Sequence, residues 1–226
     1  MSLMKLPALL LAFTLATAPW AAAASTPPPT AAALAAALQK KYEAVRGFSA
    51  NFTHTYTGGI LQKTVTERGH VDIRKPGLMR WDYASPHHKL FVSDGTKIYS
   101  YLPEDRQVII SSMPSANEAT VPALFLAGRG NLTRDFTASL VDWPGAPAGT
   151  WALKLIPKQR QRDYDWLILV VERQSLRLRM LVSHDAEGGT STIAFSDLKE
   201  NVDLPDRLFT FKIPHGVDVV PDNPGF

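Results

Sequence analysis

The chain has 226 residues, 45% of them hydrophobic, with 24 basic and 21 acidic side chains and a net charge of +3. That balance is too even to argue for nucleic-acid binding. The absence of cysteine excludes disulfides, thiolate metal sites and a lipid-modified cysteine anchor.

Met1 to Lys5 is a short basic lead, and Leu6 to Thr17 is an apolar run of about a dozen residues, too short to span a bilayer alone. Ala22 and Ala24 follow in A-x-A register, so residues 1–24 are expected to be a removed signal peptide and the mature protein a soluble, exported one. Residues 25–29 are Pro-rich and read as a flexible tether. Residues 30–226 have a length suited to a single domain with a substantial core.

A helix is expected next. Thr30 can cap it, Ala-rich sequence fills it, and Gly47 stands where a C-terminal cap belongs. Leu34, Leu38, Tyr42 and Val45 fall on one face at helical spacing.

From Phe48 the pattern changes to a period of two. Phe48, Ala50, Phe52, His54 and Tyr56 share one face, Gly58-Gly59 marks a hairpin turn, and a strand from Ile60 returns to Arg68-Gly69. Residues 69–101 then read as four short strands broken at Pro76-Gly77, Ser85-Pro86 and Asp94-Gly95. Val71, Ile73 and Lys75 share a face in the first, and Met79, Trp81 and Tyr83 in the second. The opposite positions, His70, Asp72, Arg74, Arg80 and Asp82, suit a solvated surface. One face is thus apolar and aromatic with a single cation, Lys75, aimed into it.

After a strand at Arg106 to Ser112, the pattern breaks. Thr120 and Pro122 can start a short helix with Leu124, Phe125 and Leu126 as its apolar content and Gly128 as its end. A wholly apolar helix between strands must bury against something, and the open face of a curved sheet is the natural place. Alternation resumes with Phe136, Ala138 and Leu140, then Trp151, Leu153 and Leu155, then three further strands between residues 164 and 196. Phe209, Phe211 and Ile213 are expected on the inner face of a final strand. About eleven strands with hairpin-length links and no βαβ alternation make a mainly β, antiparallel meander curling toward a barrel.

Motifs for catalysis are absent: there is no H-E-x-x-H, G-x-S-x-G, Walker loop or G-x-G-x-x-G. No nucleophile stands beside a recognisable base, so an esterase is disfavoured and the chain reads as a non-enzyme without cofactor or metal. His87-His88 are adjacent on a strand and point to opposite faces, a poor metal pair. Lys158 to Arg162 is basic but reads as a solvated turn, with Asp163 and Asp165 beside it. The sequons at Asn51 and Asn131 matter only in a eukaryotic secretory route.

Arg74-Lys75-Pro76-Gly77, then Met79-Arg80-Trp81-Asp82-Tyr83, Pro86, Val92-Ser93-Asp94-Gly95 and Tyr101 resemble the outer-membrane lipoprotein carrier protein (LolA) family. So do Phe209-Thr210-Phe211, Pro214, Gly216, Val217 and Asp218. Two positions depart from the family: Lys75 stands for its usual Arg, and His54 for its usual Gln.

The resemblance implies an incomplete barrel with helices as a lid over a hydrophobic cavity. Its ligand would be lipoprotein acyl chains, taken in the periplasm from an inner-membrane lipoprotein-releasing ABC transporter complex. A LolB-like outer-membrane acceptor would receive them from a monomeric carrier. Phe52, Ile73, Met79, Trp81, Trp151, Phe209 and Phe211 are then the candidate cavity lining, and Leu34, Leu38, Leu124, Phe125 and Leu126 the lid. Lys75 and His54 are the candidate latch. The alternative is a periplasmic binder or sensor of another hydrophobic ligand on the same fold.

Overall fold

The computed structural model describes residues 28–60, 63–113, 126–128, 130–161 and 163–221. The expected signal peptide, most of the tether, and lid residues Leu124 and Phe125 lie outside these residues.

Helix α1 spans Ala31–Ala44. Thr30 caps it as expected, its hydroxyl accepting the Ala33 N–H at 3.1 Å. Leu34, Ala35, Leu38 and Tyr42 are buried along one face. The C-cap is Val45, and Gly47 instead begins the next strand. A Cβ at Gly47 would come within 2.3 Å of the Ile73 carbonyl oxygen, so its small size serves strand approach and not the helix end.

Strands β1 (Gly47–Thr57), β2 (Thr64–Arg74), β3 (Leu78–Ser85), β4 (Lys89–Asp94), β5 (Lys97–Leu102) and β6 (Gln107–Ser112) form a first meander. A short helix, α2 (Leu132–Asp135), leads into β7 (Phe136–Val141), β8 (Thr150–Pro157), β9 (Trp166–Glu172), β10 (Leu178–His184) and β11 (Thr190–Glu200). A 3-10 turn at Asp206–Phe209 precedes β12 (Asp218–Pro221). The two meanders join where β1 pairs with β11, giving one sheet in the order β12-β6-β5-β4-β3-β2-β1-β11-β10-β9-β8-β7. All pairings are antiparallel except β12 on β6. The sheet is open, with β12 and β7 at its edges.

The Arg68-Gly69 break is a bulge inside one long strand and not a turn between two. Glycine is required there: a Cβ at Gly69 would lie 2.1 Å from the Asp82 carbonyl oxygen and 2.7 Å from the Phe52 ring.

The main core lies on the concave face. It joins Phe48, Phe52, Val71, Ile73, Met79 and Trp81 to Leu153, Leu155, Leu169 and Leu181 across the sheet, with α1 packed on top. Each fully buried side chain of this size contributes about 1.5–3 kcal/mol, so the three large apolar residues of α1 hold the helix mainly by packing.

The C-terminal segment departs from expectation. Residues Asp206–Phe209 are a 3-10 turn, and the residues from Thr210 to Val217 belong to no strand. Register explains where they lie. Arg80 opposes Val92 and Val92 opposes Tyr99, while Asp82 opposes Leu90 and Leu90 opposes Tyr101. Directly opposed residues share a face, so Tyr99 and Tyr101 stand on the convex side with the charged positions of β3. Phe211 packs on both rings, at 5.4 and 5.7 Å. Phe209 is 3% exposed and lies beneath the Arg74 guanidinium at 5.1 Å. These two residues therefore cover the convex face of β2 to β5, and Ile213 is exposed. An F-x-F alternation fixes a period but not which side of a sheet it faces.

Candidate functional site

Four of the predicted lining residues converge. Phe52, Ile73, Met79 and Trp81 are all buried on the concave face in one cluster. Edge-to-face aromatic contacts organise it: the Phe52 ring lies 5.2 Å from Trp81 and 4.7 Å from Tyr83. Phe195 of β11 adds contacts to Phe48 and Trp81 at 6.2 and 6.4 Å. Trp151 is half-buried against the same core, with the Arg173 guanidinium 4.1 Å over its ring. Phe209 and Phe211 do not join them.

Above this face lie Leu34, Leu38 and Tyr42 of α1 together with Leu126, which alone of the three apolar residues expected in the second lid helix is described; all four are buried. A few directional contacts pin this roof. The Lys75 ammonium donates to the Tyr42 carbonyl at the last turn of α1, where helix carbonyls lack intrahelical partners. It lies 5.7 Å from the centre of the Tyr42 ring. Its stem rests beside Gly128, where an added Cβ would stand 3.1 Å from Lys75 Cδ. Burial lowers the Lys75 pKa, and nearby Glu43 partly offsets this. Lys75 itself follows the end of β2 in a turn, rather than lying within a strand.

Sequence reading missed the other pins. The Gln39 side-chain oxygen accepts the Leu132 N–H at 2.8 Å, and the Tyr42 hydroxyl accepts the Leu178 N–H at 3.0 Å. Lys41 pairs with Glu200 at 3.0 Å and donates to the Ser175 carbonyl at 2.9 Å. Gly77 N–H donates to the Ala127 carbonyl at 3.0 Å, tying the Lys75-Pro76-Gly77 turn to the segment at residues 126–128. On the helix, Gln39 and Lys41 look like ordinary solvated positions, and only tertiary placement shows their role. A cleft of about 550 Å³ opens beside the turn, lined by Glu43, Arg46, Arg74, Lys75 and Asn201 among others.

His54, the other candidate latch residue, does not lie with Lys75. It stands six residues beyond Phe48 on β1, about 20 Å further along the strand. There its Nε2 bonds the Ser191 hydroxyl at 2.8 Å, and its Nδ1 faces the Tyr83 hydroxyl at 3.3 Å and Glu67 at 3.5 Å. Burial lowers its pKa, against the opposing pull of Glu67. His54 lies on the face that strand parity assigns it, and the partners it meets there are side chains.

The histidine pair diverges: His87 reaches Glu104 at 2.9 Å and His88 reaches Asp82 at 3.0 Å. One arrangement resembles a nucleophile beside a base, which sequence reading did not find. Ser49 Oγ lies 2.9 Å from His70 Nε2, and Asn51 Oδ1 lies 2.9 Å from His70 Nδ1. The group sits on the convex face, opposite the apolar side of the sheet. Its serine is one member of a surface hydrogen-bond chain that also includes Asp72, 3.4 Å from the same Nε2. Among the described residues, no helix is long and apolar enough to cross a membrane, and no group of three or more potential ligands is placed to hold a metal ion.

An open, strongly curved sheet with an apolar concave side, roofed by a helix on polar pins, places the protein among the half-barrel folds. The chain belongs to the outer membrane lipoprotein carrier protein LolA family, whose model matches residues 43–212. It is 34% identical over 179 residues to the outer-membrane lipoprotein carrier protein of Chromohalobacter salexigens, covering 79% of this chain and 82% of that one. To the protein of the same name from Methylobacillus flagellatus it is 30% identical over 184 residues, 81% and 87% of the two chains. A LolA superfamily protein from Nitrosomonas europaea aligns with a TM-score of 0.43 at 17% identity, over 81% of this chain and 99% of its own. An uncharacterized conserved protein from Thermus thermophilus aligns with a TM-score of 0.49 at 14% identity, over 83% and 96%.

Proposed function

We propose that this protein is a periplasmic carrier that takes lipoprotein acyl chains on the concave face of its half-barrel. It receives them from an inner-membrane ABC transporter complex and passes them to an outer-membrane acceptor, acting as a monomer without catalysis. The observation that carries this reading is the pairing of an apolar aromatic face with a roof helix held by a handful of separable polar contacts. Family membership supports the same reading.

The mechanism follows from what fills the face. In the closed form, Leu34, Leu38 and Tyr42 occupy the space above Phe52, Met79 and Trp81. A ligand must displace them, breaking the Lys75, Gln39, Lys41 and Tyr42 contacts. Burying a methylene is worth about 0.8 kcal/mol, so one long acyl chain brings on the order of 12 kcal/mol. Three chains fully buried would pass the practical ceiling of noncovalent affinity, roughly 20 kcal/mol. The opened roof reduces that gain, because its own apolar side chains lose their seat and its pins their partners. On transfer the roof closes again, and this recovered energy favours release without any external energy source.

The test is depletion of the protein in its native host, followed by fractionation of inner and outer membranes. Lipoproteins stranded at the inner membrane are expected. A normal distribution, with a different lipid copurifying with the protein, would overturn the reading in favour of another ligand.

A further inference from the structure

The concave face is not uniformly apolar: apart from Ser93 beside the Gly77 turn, a group of its polar side chains lies together at one end. Trp81 is 5% exposed, and its indole N–H has no hydrogen-bond partner among the described residues. Leaving a buried donor unpaired is costly, and the great majority of such groups in folded proteins are satisfied. Two residues along the same strand, Tyr83 carries its hydroxyl on the same face, and both rings flank Phe52. Beyond Tyr83 lies an ion pair: Lys89 Nζ stands 2.5 Å from Glu67, with its charge 5.0 Å over the Tyr83 ring. His54 closes the group against Tyr83 and Glu67.

A set of this kind is expensive in an interior that is otherwise hydrocarbon, and well-packed apolar residues would serve stability at least as well. Its placement is informative. Glu67 and Lys89 keep 12% and 28% of their side-chain surface exposed, so they form a rim where the trough meets water. Lys89 carries three donor hydrogens and one anionic partner, so donor capacity remains. The array thus runs from a buried neutral donor at Trp81 to a charged, partly wet donor at Lys89. It lies at the end of the trough away from the Lys75 latch.

A chain-bearing ligand has one polar zone of matching chemistry, the carbonyl groups that link its fatty chains to the head. These carbonyls accept hydrogen bonds and carry no charge, which suits an indole N–H and a neutralised ammonium. We propose that Trp81, Tyr83 and Lys89, with Glu67 and His54 orienting the last two, form a binding site for the carbonyl-bearing linker of an acylated ligand. This rests on the carrier reading and adds polarity to it: chain ends lie under α1, and the head emerges at the rim. The site gives the carrier a means of telling an acylated head from a bare hydrocarbon, which apolar packing cannot supply.

The experiment compares two synthetic probes by fluorescence competition: a dipalmitoyl-glyceryl cysteine peptide with ester links, and the same peptide with ether links. Wild-type protein is expected to favour the ester about tenfold. Trp81→Phe keeps an aromatic ring and loses the donor, and Lys89→Met keeps the stem and loses the charge. Each is expected to lower ester affinity several-fold more than ether affinity, so that the preference falls toward one. Equal losses for both probes would mean that these residues only support the fold, and would overturn the proposal. If Lys89→Met does not fold, Tyr83→Phe, which removes one hydroxyl, carries the same expectation and the same refutation. Wild-type protein that binds both probes without preference sinks this proposal alone. Wild-type protein that binds neither sinks the carrier reading beneath it.

Discussion

Replacing Lys75 by methionine isolates the latch from the packing around it. Methionine keeps an unbranched stem beside Gly128, so the change removes mainly the ammonium and its bond to the Tyr42 carbonyl. Hydrogen bonds to charged groups contribute about 1.5–3 kcal/mol net. The Lys75 ammonium is only partly buried and already disfavoured by desolvation, so solvent screening and recovered hydration return part of this. A net loss of about 1.4 kcal/mol remains, which raises the open fraction of the roof about tenfold. In the proposed mechanism the ligand binds the open form, so apparent affinity should rise by a similar factor and onward transfer should slow. Hydrogen exchange reads the first effect, as about tenfold faster exchange at the amides of α1, including Leu38 and Tyr42, with strands β1 and β2 unchanged. Lipopeptide titration reads the second. Unchanged exchange on α1 together with unchanged affinity would refute the idea that Lys75 holds the roof.

Three further outcomes follow from the geometry. Phe209→Ala should cost about 3–5 kcal/mol of stability in chemical denaturation, yet leave lipopeptide affinity of the folded protein unchanged, because Phe209 packs on the convex side. Gly69→Ala should lower stability by about 3 kcal/mol or more, measured the same way, since its Cβ would meet the Asp82 carbonyl at 2.1 Å. His54 has a folded-state pKa below its ordinary 6.5, so the unfolded chain binds the proton more readily. Its contribution is present above pH 6.5 and is lost as pH falls below that value; His54→Gln should flatten this part of the stability profile.

Strand parity carried the reading of the first meander because side-chain direction there follows directly from position. Met79, Trp81 and Tyr83 fell on one face in sequence and are buried on one face in the fold. The Thr30 cap was legible for a similar local reason. Failures came where a residue type serves two uses. Gly47 reads equally as a helix end or as a strand glycine, and the carbonyl of Ile73, far away in sequence, decides between them. Phe209 and Phe211 alternate as a strand would, but Pro205 and Pro214 bracket a segment that crosses to the other side of the sheet. The roof pins Gln39 and Lys41 were invisible because a polar side chain on a helix says nothing about the distant carbonyl or amide it will meet.

The concave face is tested most directly by photo-crosslinking. A lipopeptide carrying a diazirine midway along its palmitoyl chain is bound, irradiated, and the modified residues are identified by mass spectrometry. Labelling is expected on Phe52, Ile73, Met79 and the apolar face of α1, with none on Phe209 or Phe211. Labels confined to the convex side, or to exposed loops with the concave residues untouched, would contradict the account.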